Sequence, residues 1–174
     1  MSHPITPMLV PMLPPKLRKP SAIAREIHQT RAFADREDEA AVALLRTVDV
    51  LRADLERALA PQSITPQQYN VLRILRGSHP EPLPTLEIAE RMIERAPGIT
   101  RLIDRLESAG LVARKRCPGD RRIVHCSITR AGLATLAALD EPVRAVGHRR
   151  VGRLSKSELS KLLQLLDRLR EEGS

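Results

Sequence analysis

The stretch from Ile99 to Ile128, ITRLIDRLESAGLVARKRCPGDRRIVHCSI, determines how the rest of the chain is interpreted. It begins with apolar side chains at helical spacing and continues to Gly110, which suits a left-handed helix C-cap. Pro97, just upstream, fits a first helical turn, where the missing N–H of proline costs nothing. The predicted helix carries one apolar stripe, formed by Ile99, Leu102, Ile103 and Leu106.

Two strands joined by a tight turn are predicted after this helix. Leu111 and Val112 begin an extended run, and residues 117–120 (CPGD) have turn chemistry. Beyond the turn, every second residue is apolar, which predicts a strand with one buried face. These apolar residues are Val124, Cys126 and Ile128. The order of elements is that of a DNA-reading helix followed by a β-wing.

Positive charge is concentrated in the same part of the chain. Residues 95–122 contain eight Lys or Arg against three Asp or Glu, a net charge of +5, whereas residues 35–58 have a net charge of −3. A concentrated basic surface is typical of a nucleic-acid binder. The alternative is a solvated basic face without a partner. Because the basic residues fall on a helix and a turn that would lie side by side, we favour nucleic-acid binding.

Composition narrows the function further. Phe33 and Tyr69 are the only aromatic residues besides histidine, which disfavours single-strand binding on stacking platforms and fits double-stranded DNA. A length of 174 residues suits one domain. The sequence has no membrane-length apolar run and no secretory pattern, so we expect a cytoplasmic protein without membrane association.

Enzyme and metal motifs are not found in the sequence. The five histidines are scattered, no Gly-rich phosphate loop is present, and Cys117 and Cys126 fit no metal spacing. We therefore expect no enzymatic activity, no cofactor and no metal. Cys126 is expected to point into the buried face of the hairpin, and Cys117 to be an exposed thiol without a sensor role.

Helical stripes predict the elements upstream of this stretch. Residues 1–34 are expected to form an arm, with six prolines in the first twenty residues and a short helix from Ser21 to about Phe33. A long helix is expected from about Asp38 to Leu59, with an apolar stripe formed by Leu44, Val48, Leu51, Leu55 and Leu59. Thr65 is a suitable N-cap for the next helix, which carries Tyr69, Leu72 and Leu75. A short helix then carries Leu86, Ile88, Ala89 and Met92.

Two helices are predicted downstream. Thr129 caps a helix through about Gly147, with Leu133, Leu136, Ala137 and Val143 on its apolar side. Ser155 and Glu158 form a capping box for the last helix. The last helix carries a leucine stripe that includes Leu159, Leu162, Leu163 and Leu166. The terminal helices either pack on each other or form an interface between two subunits.

The segment from about Thr65 to Gly132 resembles the winged helix-turn-helix of MarR-family transcriptional regulators. Four motifs carry this resemblance: LEIAERM (Leu86–Met92), ITRLIDRLESAGLV (Ile99–Val112), DRR (residues 120–122) and ITRAG (residues 128–132). The long flanking helices extend it to about Asp35–Glu172. The resemblance implies a mainly α fold with a small β-wing in a single domain over residues 35–174. Residues 65–128 would be the DNA-binding lobe, and residues 35–60 and 129–174 the dimerisation helices.

The resemblance also implies a function and its partners. Members of this kind act as homodimers on palindromic operators in double-stranded DNA, and a small-molecule effector releases a repressor. The pocket for this effector would lie between the dimer lobe and the DNA lobe, where Tyr69 and Arg73 are candidate lining residues. Two other functions stay open: a winged-helix module that binds an acidic partner protein, and an architectural DNA binder without an effector.

Candidate DNA contacts are assigned by chemistry and position. Thr100 and Arg101 lie one turn into the reading helix, where side chains meet base edges. Arg105, a turn further, would hold phosphate or pair with Asp104 or Glu107. Phosphate contacts are also expected from the hairpin residues Lys115 and Arg116.

The remaining candidates lie at the start of the helix and at the turn of the wing. The family often has Ser or Thr where this chain has Arg95, Pro97 and Gly98. Gly98 would let the backbone approach a phosphate closely. Arg122 matches the wing arginine of the family, Arg121 flanks it, and Asp120 either braces an arginine or simply forms the turn.

Overall fold

The structure is a computed structural model that describes residues 20–94, 97–117, 119 and 123–171. Its elements in chain order are α1 (Ala22–Glu26), α2 (Arg36–Leu59), α3 (Pro66–Ser78), β1 (Leu83–Pro84), α4 (Thr85–Glu90), α5 (Ile99–Ser108), β2 (Val112–Arg116), β3 (Val124–Ile128), α6 (Arg130–Val151) and α7 (Lys156–Arg170). A single 3-10 turn, Ala60–Gln62, follows α2. The mainly α fold with a small sheet is confirmed.

The chain divides into two compact units, and the boundary between Thr47 and Val48 falls inside α2. In the first unit, the Ser21 hydroxyl caps α1 by accepting a hydrogen bond from the Ala24 N–H. The Arg46 guanidinium donates to a Glu26 carboxylate oxygen at 2.8 Å. The helix predicted over residues 21–33 is therefore shorter than expected, because it ends at Glu26.

The core of the second unit lies between α3, α5, α6 and the sheet. Its fully buried side chains include Val71, Leu72 and Leu75 of α3, Ile103 and Leu106 of α5, and Leu136 and Leu139 of α6. The predicted stripes on α3 and α5 are thus confirmed. The stripe on α6 is partly wrong, because Ala137 is exposed while Leu139 and Val146 face inward.

Two other predicted apolar stripes are only partly buried. On α2, Leu59 is fully buried, but Leu44 and Val48 are exposed to 40% and 51%. On α4, Ile88 is buried, whereas Leu86 is 72% exposed. Helical spacing identifies which residues share a face but does not say how much of that face the chain itself can cover.

The three-stranded antiparallel sheet has the order β1-β3-β2. Val112 pairs with Ile128, Arg114 with Cys126 and Arg116 with Val124. Cys126 is fully buried, as predicted, and burial raises the pKa of its thiol. The alternation on β3 therefore places one face against the helices.

The ITRAG motif joins the sheet to α6 and to the end of α5. The Thr129 hydroxyl donates to the Gly110 carbonyl at 2.7 Å and accepts from the Gly132 N–H at 3.1 Å, which caps α6 as predicted. A Cβ on Gly132 would lie 2.3 Å from the Leu111 carbonyl oxygen and 2.7 Å from Ile128 Cγ1. Only glycine allows these backbones to approach so closely.

Candidate nucleic-acid interface

The helix α5 begins one residue after a glycine in a left-handed conformation. Gly98 has φ of +99° and occupies the N-cap, so helical geometry starts at Ile99. Pro97 consequently lies before the helix, which corrects the prediction that it sits in the first helical turn. Gly98 brings no side chain to this end of α5, so the backbone there is open to approach.

The outward face of α5 carries Thr100, Arg101 and Arg105, all of them exposed. The opposite face buries Leu102, Ile103 and Leu106 in the core. This division agrees with the predicted orientation of the helix. The candidate base-contacting residues therefore stand on a helix that the core holds in one rotational setting.

Two contacts hold the turn between α4 and α5. The side-chain oxygen of Asn70 on α3 accepts a hydrogen bond from the Ile93 N–H at 2.9 Å. The guanidinium of Arg52 on α2 lies 2.6 Å from a carboxylate oxygen of Glu94. Neither contact is predicted by the sequence pattern, since they join residues 23 and 42 positions apart.

An ion pair with a buried carboxylate ties α2 to α6. Asp54 is 3% exposed, and its carboxylate accepts from the Arg150 guanidinium at 2.6 Å and from that of Arg57. The hydrogen bond from Arg150 lowers the pKa of the Asp54 carboxyl below its ordinary value. The carboxylate thus stays charged and fixed where α2 meets α6.

The wing strand β2 is connected to α5 by Arg114. Its guanidinium donates to an Asp104 oxygen at 2.5 Å and to a Glu107 oxygen at 2.7 Å. The hydrogen bond to Glu107 raises the pKa of Arg114 above its ordinary value. The two acidic residues of α5 are therefore used to hold the wing, and the Arg114 charge is locally compensated.

This arrangement affects the expected role of Arg105. Pairing with Asp104 or Glu107 was one of two expectations, but Arg114 engages both carboxylates. Within the described ranges, no ion pair is found for Arg101, Arg105, Lys115 or Arg116. The last two are exposed on β2. Four cationic side chains of α5 and β2 therefore have no ion-pair partner among the described residues.

Replacing Arg114 by Gln should loosen the wing while leaving the helices intact. Both ion pairs are lost, and the carboxylates of Asp104 and Glu107 are left facing each other. Because these groups are partly exposed, unfolding free energy should fall by less than about 2 kcal/mol. Amide hydrogen exchange should nevertheless accelerate selectively in β2 and β3. Arg144→Gln, which removes the exposed α6 pair with Glu141, is the matched control and should leave the wing amides unchanged.

Four predicted site residues lie outside the described residues: Arg95, Asp120, Arg121 and Arg122.

The candidate effector residues are both on α3. Tyr69 is 6% exposed, and burial raises the pKa of its hydroxyl. The Arg73 guanidinium carbon lies 5.9 Å from the Tyr69 ring centroid, which is within range of a cation–π contact. Tyr69 is thus part of the core, with Arg73 as its cationic neighbour.

The last helix, α7, has no buried residue. Leu159, Leu162 and Leu166 are half-buried, while Leu163 is 55% exposed. Leu165 and Leu169 on the same helix are exposed to 44% and 66%. The α7 leucines thus remain largely uncovered by the described part of the chain.

Neither a membrane span nor a metal site is found among the described residues. None of the helices in this part of the chain combines the length and apolar character needed to cross a bilayer. No group of three or more His, Cys, Asp or Glu in the same ranges could hold a metal ion.

A family model described as the MarR family matches residues 64–124. This range runs from the end of the α2–α3 connection to the first residue of β3 and contains both halves of the helix-turn-helix. It therefore includes the exposed face of α5 and the basic strand β2.

Solved structures extend the likeness beyond this range. A MarR transcription factor from Planctomyces limnophilus is 44% identical, with a TM-score of 0.62, over 79% of this chain and 98% of that chain. AbsC from Streptomyces coelicolor, a MarR family transcriptional regulator, is 27% identical, with a TM-score of 0.72, over 82% and 97%. A mutant MarR from E. coli, complexed with operator DNA, is 26% identical, with a TM-score of 0.66, over 74% and 91%.

Proposed function

Because the chain belongs to the MarR family of transcription regulators, we propose that it binds operator DNA through α5 and the β2–β3 wing. The observation that carries this proposal is the outward face of α5, where Thr100, Arg101 and Arg105 stand exposed beside a basic strand. The E. coli relative complexed with operator DNA shares the fold over 74% of this chain. We place this activity in the cytoplasm, where the DNA is accessible.

Base contacts and phosphate contacts are expected from different residues. Thr100 and Arg101 project from the first turn of α5, and an arginine can pair with two acceptors of guanine while threonine meets a thymine methyl group. Arg105, Lys115 and Arg116 supply charge for phosphates, which positions the protein without reading sequence. The ion pairs of Arg114 with Asp104 and Glu107 hold the wing against α5, so the base-contacting and the phosphate-contacting residues face the same DNA duplex.

Dimerisation is supported by the uncovered leucines of α7. Leu163 and Leu169 are more than half exposed, and monomeric proteins rarely leave a contiguous apolar surface of this kind in water. A second copy of the chain would cover this surface. A two-fold dimer presents two reading helices about one turn of DNA apart, which matches a palindromic operator.

The repressor role and release by a small molecule are proposed as a population shift. A ligand that prefers one spacing of the two reading helices biases the dimer away from the spacing that fits DNA. The contacts that would transmit such a shift join α2 to the turn before α5 and to α6, through Arg52 with Glu94 and Asp54 with Arg150. The Arg73–Tyr69 pair on α3 is the candidate ligand-responsive element.

The salt dependence of duplex binding tests the proposal. Affinity for duplex DNA should fall steeply as salt rises, because neutralised phosphates release counterions. Arg122→Ala should lower the affinity and flatten the salt slope, since Arg122 matches the wing arginine of the family. The measurement is a fluorescence anisotropy titration at several salt concentrations.

Two results would contradict parts of this function. A variant with unchanged affinity and slope would remove the wing from the interface. If the wild-type protein shows no duplex binding and instead retains an acidic protein partner, the winged-helix interaction module becomes the better description. Binding with little sequence preference and no effector response would favour the architectural alternative.

A further inference from the structure

One face of the sheet points away from the core and is lined with polar and cationic side chains. Lys115 on β2 is the direct partner of His125 on β3, and His125 is also the partner of Pro84 on β1. Directly paired residues of antiparallel strands share a face, and the face alternates along each strand. Lys115, His125 and Ser127 therefore lie on the face opposite to that of the buried Cys126.

This face borders a cavity of about 330 Å³, which we call the sheet-face groove. Its lining residues are Pro80, Pro82, Lys115, Arg116, Cys117, His125 and Ser127. The volume is at the lower end of the range that holds small organic molecules. The groove is separate from Tyr69 and Arg73, neither of which lines it.

The charged and polar side chains of the groove indicate which class of ligand it would bind. One permanent cation, Lys115, lies on this face together with the His125 imidazole and the Ser127 hydroxyl, and none of the described lining residues is acidic. Arg116 also lines the groove, but it pairs with Val124 and therefore belongs to the opposite face of the strand. Across the ranges that the structure describes, neither Lys115 nor Arg116 takes part in an ion pair. The other cation of β2, Arg114, is compensated by Asp104 and Glu107. The groove therefore presents uncompensated positive charge together with hydrogen-bond donors.

We propose that the sheet-face groove binds a small organic phosphate monoester. A phosphate dianion has the charge that Lys115 attracts and acceptor oxygens for the donors of Lys115, His125 and Ser127, and charge-assisted hydrogen bonds of this kind are strong. Pro80 and Pro82 are the apolar residues lining the groove and would contact the organic part of the ligand. This site goes beyond the DNA-binding function proposed above.

A regulatory consequence rests on that proposed function. Lys115 is assigned to a DNA phosphate, and the same cation cannot hold a bound monoester and the DNA backbone together. Ligand binding would lower the affinity for DNA, and DNA would lower the affinity for the ligand by the same factor.

Calorimetric titration of the DNA-free protein with phenyl phosphate tests the site. Phenol and inorganic phosphate, titrated in parallel, separate the contribution of the charge from that of the ring. We expect phenyl phosphate to bind more tightly than either. Lys115→Gln should weaken binding by about tenfold or more, a loss equivalent to one strong interaction. Lys161→Gln, at an exposed position of α7, is the matched control and should bind as the wild type does.

Thiol alkylation gives an independent measurement in the same samples. Cys117 lines the groove, whereas Cys126 is fully buried, so an uncharged alkylating reagent reports on Cys117. Phenyl phosphate should slow alkylation in the wild type and in Lys161→Gln but not in Lys115→Gln. Circular dichroism of each variant confirms that the fold is retained.

Three results would overturn the proposal. They are an absence of phenyl phosphate binding at millimolar concentration, equal affinity of Lys115→Gln and the wild type, and inorganic phosphate binding as tightly as phenyl phosphate. Because these titrations contain no DNA, they are independent of the proposed DNA-binding function. If phenyl phosphate binds but does not displace duplex DNA, only the regulatory consequence fails.

Discussion

Leu163→Asp combined with Leu169→Asp is expected to convert the protein to monomers and to abolish measurable operator binding. These leucines are 55% and 66% exposed on α7, so their replacement removes little packing within the subunit. Two charges in the proposed interface would have to lose water without gaining a partner, which disfavours association strongly. Loss of the second reading helix then removes an affinity gain of about 10²–10⁴-fold that linkage of two sites provides.

Light scattering at micromolar concentration measures the assembly, and anisotropy with an operator duplex measures the binding. The matched control replaces the exposed polar residues Ser160 and Gln164 of the same helix by Asp, which adds the same charge outside the leucine stripe. This control should remain dimeric. A wild-type protein that is monomeric at these concentrations, or a Leu163/Leu169 variant that stays dimeric, would refute the assignment of α7 to the interface.

Arg101→Ala is expected to erase sequence preference at one or two symmetric operator positions. A lost base contact costs about 1–3 kcal/mol at its own position, which corresponds to roughly ten- to more than a hundredfold in discrimination. Lys115→Ala should instead lower the affinity for every duplex by a similar factor, because a phosphate contact is independent of sequence. Both side chains are exposed, so neither change should alter the fold.

Selection of binding sites from a random duplex library separates these two effects. The information content of each operator position is compared among wild type, Arg101→Ala and Lys115→Ala. Lys115→Ala serves as the control, since it should recover the wild-type consensus with weaker binding. If Arg101→Ala selects the same consensus with the same information at every position, α5 is not the reading element.

The sequence by itself determined the local features of this protein. The Thr65 N-cap, the Ser155 capping box, the Thr129 cap and the left-handed Gly110 are all found where residue chemistry places them. The same holds for the α5 stripe, whose inner residues are buried. Each of these features depends on residues within about one or two helical turns of one another, so a pattern along the chain is sufficient to predict it.

Several predictions made from the same local patterns were wrong, either about which residues are buried or about where a helix begins. Leu86 has the right spacing for an inward face but is 72% exposed, and Ala137 is exposed where Leu139 is buried. Pro97 lies before α5, because Gly98 takes up the left-handed turn that starts the helix. Spacing and composition fix a residue's direction on its own element, whereas burial depends on the neighbour that the fold supplies.

Only the tertiary structure decided how the charges of the interface are distributed. Arg114 is one of three consecutive basic residues in the sequence, yet it alone of the three pairs with Asp104 and Glu107 within the described residues. Arg52 and Asn70 hold the turn before α5 from α2 and α3, and Lys115, His125 and the two prolines meet at the sheet-face groove. The physical reason is that ion pairs, anchors and cavities form between side chains far apart in the chain, whose distances are set by how the helices and strands pack.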